Sequence, residues 1–124
     1  MTKKILSVDD DPSVRRLVQS VLKTHGYEVI SASDGLEALV KVKKELPDLI
    51  VLDVMMPEVN GYEVCFQLRF NKEFQEIPII LLTSRDEEID TKLREQTNIE
   101  YLQKPLDTQL LIEKVHRMLS KESE

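Results

Sequence analysis

Apolar positions along this chain follow two rhythms in alternation. Short, nearly continuous apolar runs at Ile5–Val8, Tyr27–Ser31, Leu49–Asp53, Ile77–Leu82 and Ile99–Leu102 predict strands. The stretch LIVLDV is apolar except for its aspartate, as expected of a parallel strand covered on both faces. Between these runs apolar residues recur at helical spacing. Val14, Leu17, Val18, Val21 and Leu22 mark a first helix, started by Asp11-Pro12 and stopped by Gly26. Leu36, Leu39 and Val40 mark a second, entered through Asp34-Gly35 and closed before Pro47. Asn60-Gly61 opens a third, which carries Val64, Cys65 and Leu68 inward. A fourth is expected over about 86–97, with Ile89 and Leu93. Asp107 caps a fifth, with Leu110, Leu111, Val115, Met118 and Leu119. Five βα units in series predict an α/β protein, a doubly wound parallel sheet of five strands with right-handed crossovers and helices on both faces. Ligands of such sheets gather at the carboxyl ends of the strands, at the topological switch point.

Composition narrows the picture. With 124 residues, 41% of them hydrophobic and 32% charged, the chain reads as one globular domain over 1–124 that can bury its own core. The tail SKESE, about 120–124, reads as disordered or as the start of a linker. A net charge of −6 argues against direct nucleic-acid binding, which needs a basic face. Cys65 is the sole cysteine, so no intrachain disulfide can form and a reducing compartment is expected. No apolar stretch has the length of a membrane span, and MTKKILSVDDD lacks the apolar core of a signal peptide. A cytoplasmic protein without membrane contact is the expectation.

Candidate chemistry begins at KILSVDDDPSVRRL, where an apolar run ends in Asp9, Asp10 and Asp11. Adjacent ionised carboxylates repel and raise one another's pKa, so something must compensate. Asp9 and Asp10 end the first predicted strand, Asp53 the third and Thr83 the fourth, while Lys104 follows the fifth. In the predicted fold these side chains meet in one crevice. Mg²⁺, which favours a few carboxylate oxygens plus waters, would supply the missing positive charge. Lys104 adds a fixed cation and Thr83 a neutral donor. Such a set suits phosphoryl transfer, with a carboxylate as nucleophile. Asp53 is the natural nucleophile, on a central strand between apolar Leu52 and Val54.

The segments VDDDPSVRR, LIVLDVMMPEVNG, PIILLTSRD and YLQKP, in that order, resemble the receiver domain of two-component response regulators, including stand-alone chemotaxis-type regulators. The resemblance runs from about Lys3 to Leu119. It implies the flavodoxin-like (βα)5 receiver fold with strand order 2-1-3-4-5. It implies that Asp53 is phosphorylated by a partner histidine kinase or phosphotransfer protein. It implies Mg²⁺ held by Asp10, Asp53 and the backbone carbonyl of Met55, with Asp9 supporting through water. Thr83 and Lys104 match the pair that contacts the phosphoryl group, and Thr83 and Tyr101 match the positions that switch. Lys104-Pro105 matches a bond that is cis in the family. The chain departs from the family pattern between Thr83 and Lys104, which is one residue shorter than usual and lacks a Gly-Ala before the fifth strand. The family therefore does not fix the end of the fourth helix here. Downstream, the resemblance implies a protein target or an output domain beyond the chain, and it leaves open a dimer formed on phosphorylation.

Taken singly, these residues have ordinary readings. Asp11 reads as a helix cap, Arg85 as a surface charge and Cys65 as a small buried hydrophobe. His25 and His116 sit on predicted helices without partners, so neither is given a metal or phosphocarrier role. Three alternatives to the phosphoacceptor reading exist. A degenerate receiver that only binds proteins is disfavoured because every site residue is present. An aspartate-nucleophile phosphatase is disfavoured because no cap domain or substrate pocket is evident and Asp11-Pro12 reads as a helix start. A flavin carrier is disfavoured by three carboxylates where a phosphate-binding loop would stand. The expected protein is not an enzyme acting on an external substrate; it catalyses only the gain and loss of its own phosphoryl group.

Overall fold

Five parallel strands pair in the order β2-β1-β3-β4-β5, built from β1 (Lys4–Val8), β2 (Glu28–Ala32), β3 (Leu49–Asp53), β4 (Ile79–Thr83) and β5 (Ile99–Gln103). The computed structural model describes residues 2–84 and 98–122. The helices are α1 (Pro12–Thr24), α2 (Gly35–Glu45), α3 (Gly61–Arg69) and a C-terminal helix (Thr108–Glu122). Each strand begins or ends within two residues of its predicted bounds. The predicted helix at 86–97 and Arg85 lie outside the described residues.

Strand periodicity sorts the core into two layers. Leu6, Val8, Ile50, Leu52, Ile79 and Leu81 pack with Ala38 and Val42 of α2 and Val64, Cys65 and Leu68 of α3. Ile5, Leu49, Val51, Ile80 and Leu82 face the other way, onto Val18 and Leu22 of α1 and Leu111, Val115 and Met118 of the C-terminal helix. Because both faces are covered, β3 and β4 are buried at every position. Full burial of each aliphatic side chain is worth about 1.5–3 kcal/mol, which holds these central strands apolar up to their last residue.

The predicted caps are in place. Asp11 Oδ1 accepts from the Ser13 N–H at 2.9 Å, with Pro12 opening α1. Asp34 Oδ1 accepts from the Glu37 N–H, and Glu37 reaches back to the Ser33 N–H, both at 2.8 Å. Asn60 and Asp107 likewise cap α3 and the C-terminal helix, accepting from Glu63 and Leu110. Gly26, with φ +91°, supplies the left-handed turn that ends α1.

Helix faces were less legible. Leu17, Leu36 and Val40 are exposed, and on α2 the small Ala38 faces the sheet together with Val42. A small residue lets the helix approach closely, and an apolar count cannot show that preference. Arg69, at the end of α3, is buried, and its Nη2 donates to the carbonyls of Ile77 (2.7 Å) and Asn98 (3.0 Å). The two acceptors precede β4 and β5, so one guanidinium ties α3 to the starts of both strands.

Candidate functional site

β1 and β3 are neighbours, with Val8 opposite Leu52, so the next residues, Asp9 and Asp53, leave the sheet side by side. Ligand oxygens of Asp9, Asp10 and Asp53 all lie within 4.8 Å of one another. Asp9 and Asp53 are buried, with 1% and 2% exposure, whereas Asp10 is open to solvent. Lys104, just past β5, reaches over β4 to both buried carboxylates. Its Nζ stands 3.2 Å from Asp9 Oδ2 and 3.3 Å from Asp53 Oδ1. Its backbone N–H donates to the Thr83 carbonyl at 2.8 Å, and the Lys104-Pro105 bond is cis.

Asp11 turns away from this cluster. Its side chain caps α1, while its N–H donates to Asp9 Oδ1 at 2.9 Å. Thr83 is buried at the end of β4, one residue beyond Leu82, which pairs with Asp53. Tyr101 lies opposite Leu81 on β5 and packs half-buried against the α2–α3 layer, with its hydroxyl inside. Met55 is exposed, and its backbone N–H donates to the Asp53 carboxylate. That bond involves the N–H, not the carbonyl oxygen assigned to the metal from the sequence.

Burial and then the charge of Asp9 push the Asp53 carboxyl up to about 6, and Lys104 and the Met55 N–H only partly oppose them. Burial also works against the Lys104 ammonium, but Asp53 and Asp9 outweigh it and the Lys104 pKa is raised. Among the described residues, Lys104 is the cation that ion-pairs with these carboxylates, and it leaves the cluster a surplus of negative charge. Converging hard oxygens, one carboxylate open to water and an unmet negative charge together fit a divalent cation such as Mg²⁺.

This surplus has a stability consequence. Between pH 3.8 and about 6 the folded chain holds a proton on Asp53 that the unfolded chain has lost. Stability on this account is highest at low pH, falls as pH rises through that window and stays reduced above it. Two pKa units correspond to about 3 kcal/mol. In chelator at pH 7, Asp53→Asn is therefore expected to be more stable than wild type by roughly 1–3 kcal/mol. Mg²⁺ should narrow the gap by stabilising only wild type. Urea unfolding at pH 4 and pH 7 checks it; an equal difference at both pH values would refute the assignment to Asp53.

Two contributors carried little sequence signal. Arg15 Nη1 donates to the Asp9 carbonyl at 2.6 Å, which fixes the turn that presents the acidic cluster. Gly61 packs against the backbone that carries Asp53. A Cβ at Gly61 would stand 2.4 Å from the Asp53 carbonyl oxygen and 2.8 Å from Val54 Cα. Cys65 is buried with its thiol pushed up to about 11, chiefly by burial, which suits a packing role. His25 and His116, read from the sequence as partnerless, do have partners: His25 bonds the Val21 carbonyl and His116 the Tyr27 hydroxyl.

Residues 5–116 match the response regulator receiver domain. Alkaline phosphatase synthesis transcriptional regulatory protein PhoP of Bacillus subtilis is 52% identical over 106 residues, covering 85% of this chain and 43% of that protein. The chain thus spans less than half the length of that relative. Protein PilH of Pseudomonas aeruginosa is 32% identical over 118 residues, covering 94% of this chain and 98% of PilH. Among solved structures, chemotaxis protein CheY4 of Vibrio cholerae superposes with a TM-score of 0.84 at 32% identity, covering 95% of this chain and 99% of that one.

Proposed function

Since this chain belongs to the response regulator receiver domain family, we propose that it is a phosphoacceptor switch in which Asp53 takes a phosphoryl group from a partner histidine kinase or phosphotransfer protein. The observation that supports this most is the convergence of Asp9, Asp10 and Asp53 beneath the Lys104 ammonium. Asp10, Asp53 and the Met55 carbonyl would hold Mg²⁺, with Asp9 contributing through water. When bound, the ion would offset the negative charge on the phosphoryl oxygens.

The residues of the chain do the rest. An Asp53 carboxylate oxygen attacks phosphorus and forms the acyl–phosphate bond. The bond from phosphorus to the donor's leaving atom breaks, and its electron pair leaves with the donor. Lys104, already 3.3 Å from Asp53, keeps its proton and remains as a fixed cation beside the incoming oxygens. The domain turns over no external substrate in this reading and catalyses only its own gain and loss of phosphate. A single buried cysteine, and the absence among the described residues of a helix long and apolar enough to cross a membrane, support action in the cytoplasm. Incubation with acetyl phosphate should add one phosphoryl mass in Mg²⁺ and none in chelator. Equal labelling in chelator would remove the metal from the proposal.

Thr83 would couple this chemistry to a partner surface. Its hydroxyl is a neutral donor one residue from the strand partner of Asp53, and strand periodicity puts it on the Tyr101 side of the sheet. A hydrogen bond to a charged group contributes about 1.5–3 kcal/mol, enough to shift a two-state element tenfold or more. Because the Tyr101 hydroxyl is already inside, the response should be a redistribution about that inward position. Amide shifts in β5 and the C-terminal helix should move with a phosphoryl mimic in wild type and much less in Thr83→Ala. Equal movement in both proteins would exclude Thr83 as the link.

A further inference from the structure

At the far end of α1 from the acidic cluster, two histidines more than 90 positions apart stand together. His25 caps the C-terminus of α1 and His116 lies on the C-terminal helix, with ring centroids 6.3 Å apart and planes inclined at 67°. Both rings are exposed, and each is oriented through Nδ1. His25 Nδ1 lies 2.9 Å from the Val21 carbonyl oxygen. A carbonyl only accepts, so in the neutral ring Nδ1 carries the proton and Nε2 keeps its lone pair. His116 Nδ1 is in hydrogen-bond contact with the hydroxyl of Tyr27, whose ring leans on His116 at 5.5 Å. That contact also allows the tautomer that leaves the His116 Nε2 lone pair available. Such outward hydrogen bonds from Nδ1 orient metal-binding imidazoles in proteins.

We propose that His25 and His116 form a second cation site, which takes Zn²⁺, Ni²⁺ or Cu²⁺ through their Nε2 atoms and leaves the remaining positions to water. An imidazole-bound Zn²⁺ lies about 2.0–2.1 Å from nitrogen, hence roughly 3 Å from the ring centre. One ion can therefore join rings whose centres are about 5–6 Å apart. The exposed rings, now 6.3 Å apart, must close by about 1 Å and turn their Nε2 atoms toward each other to hold it. Nitrogen donors favour these ions over Mg²⁺, so the two sites select different metals. With two protein ligands the ion exchanges readily. Bound, it fastens the end of α1 to the C-terminal helix, and it stabilises the fold because the unfolded chain does not hold the rings together.

The test uses the full chain in excess Mg²⁺, with the acidic cluster thereby occupied. Zn²⁺ or Ni²⁺ should raise the thermal midpoint by a few degrees and shift the ring carbon-bound protons of both histidines. His25→Ala and His116→Gln should each weaken the ion at least tenfold and abolish the thermal gain, while phosphorylation by acetyl phosphate continues. Tyr27→Phe, which removes the hydroxyl that orients His116, should weaken binding less than removal of either ring. No gain in wild type, or a gain that survives either histidine substitution, overturns the site.

Discussion

Asp53→Asn is expected to accept no phosphoryl group from acetyl phosphate in Mg²⁺, a fall in rate of at least about 10³. The substitution keeps the shape of the side chain at a buried strand end but replaces the carboxylate proposed as nucleophile with an amide. The same physics argues against loss of function by unfolding, since removing a carboxylate whose pKa is raised to about 6 relieves the folded state. The variant should thus be the more stable protein and the inert one. Intact mass reads the first property and urea unfolding the second. A phosphoryl mass gain in Asp53→Asn would move the nucleophile to another residue. A variant that is inert and also less stable in chelator would contradict the electrostatic account of the site.

Gly61→Ala should damage both the fold and the site. Alanine ordinarily improves a helix by up to about 1 kcal/mol over glycine, so helix propensity alone predicts a gain at the start of α3. Close approach predicts the reverse. The new Cβ would lie 2.4 Å from the Asp53 carbonyl oxygen and 2.8 Å from Val54 Cα, and backbone atoms cannot rotate out of its way. The Gly61 N–H also bonds the Val54 carbonyl at 3.0 Å, which holds the two segments together. Forced overpacking of this kind costs about 1–3 kcal/mol. The displaced segment carries Asp53, and a displacement near 1 Å at a reacting group can cost roughly a hundredfold in rate. Urea unfolding and the initial rate of labelling should both fall. If stability rises instead, helix propensity outweighs the contact and the close approach does not constrain the chain.

The order of strands and helices was legible because each element is bounded by polar punctuation. Asp11-Pro12, Asp34-Gly35, Asn60-Gly61 and Asp107 all stand at helix starts. The convergence of the candidate site was legible for a related reason: Asp9, Asp53, Thr83 and Lys104 are polar residues where apolar runs stop, and a parallel sheet brings such stops to one edge. Helix orientation was not. On α2 apolar residues fall on more than one face, and packing against the sheet selected Ala38 over Leu36 and Val40. Interactions across long sequence distances were also hidden. Nothing near Arg69 signals that the Ile77 and Asn98 carbonyls will accept from its guanidinium, and nothing near His25 points to His116. Such contacts are chosen by tertiary packing, after local preferences are satisfied.

Lys104 reaches the acidic cluster from the edge strand, 95 positions after Asp9. Contacts of that sequence separation close late, because loop entropy must be met before they form. A chain with β1 and β3 paired but β5 undocked would already hold its repelling carboxylates without their ammonium partner. That intermediate is penalised, which makes docking of the last strand more cooperative with the rest of the sheet. It also lacks the Lys104 ammonium beside Asp53. If Asp53 is the phosphoacceptor proposed above, competence to accept a phosphoryl group should therefore appear only once β5 has docked.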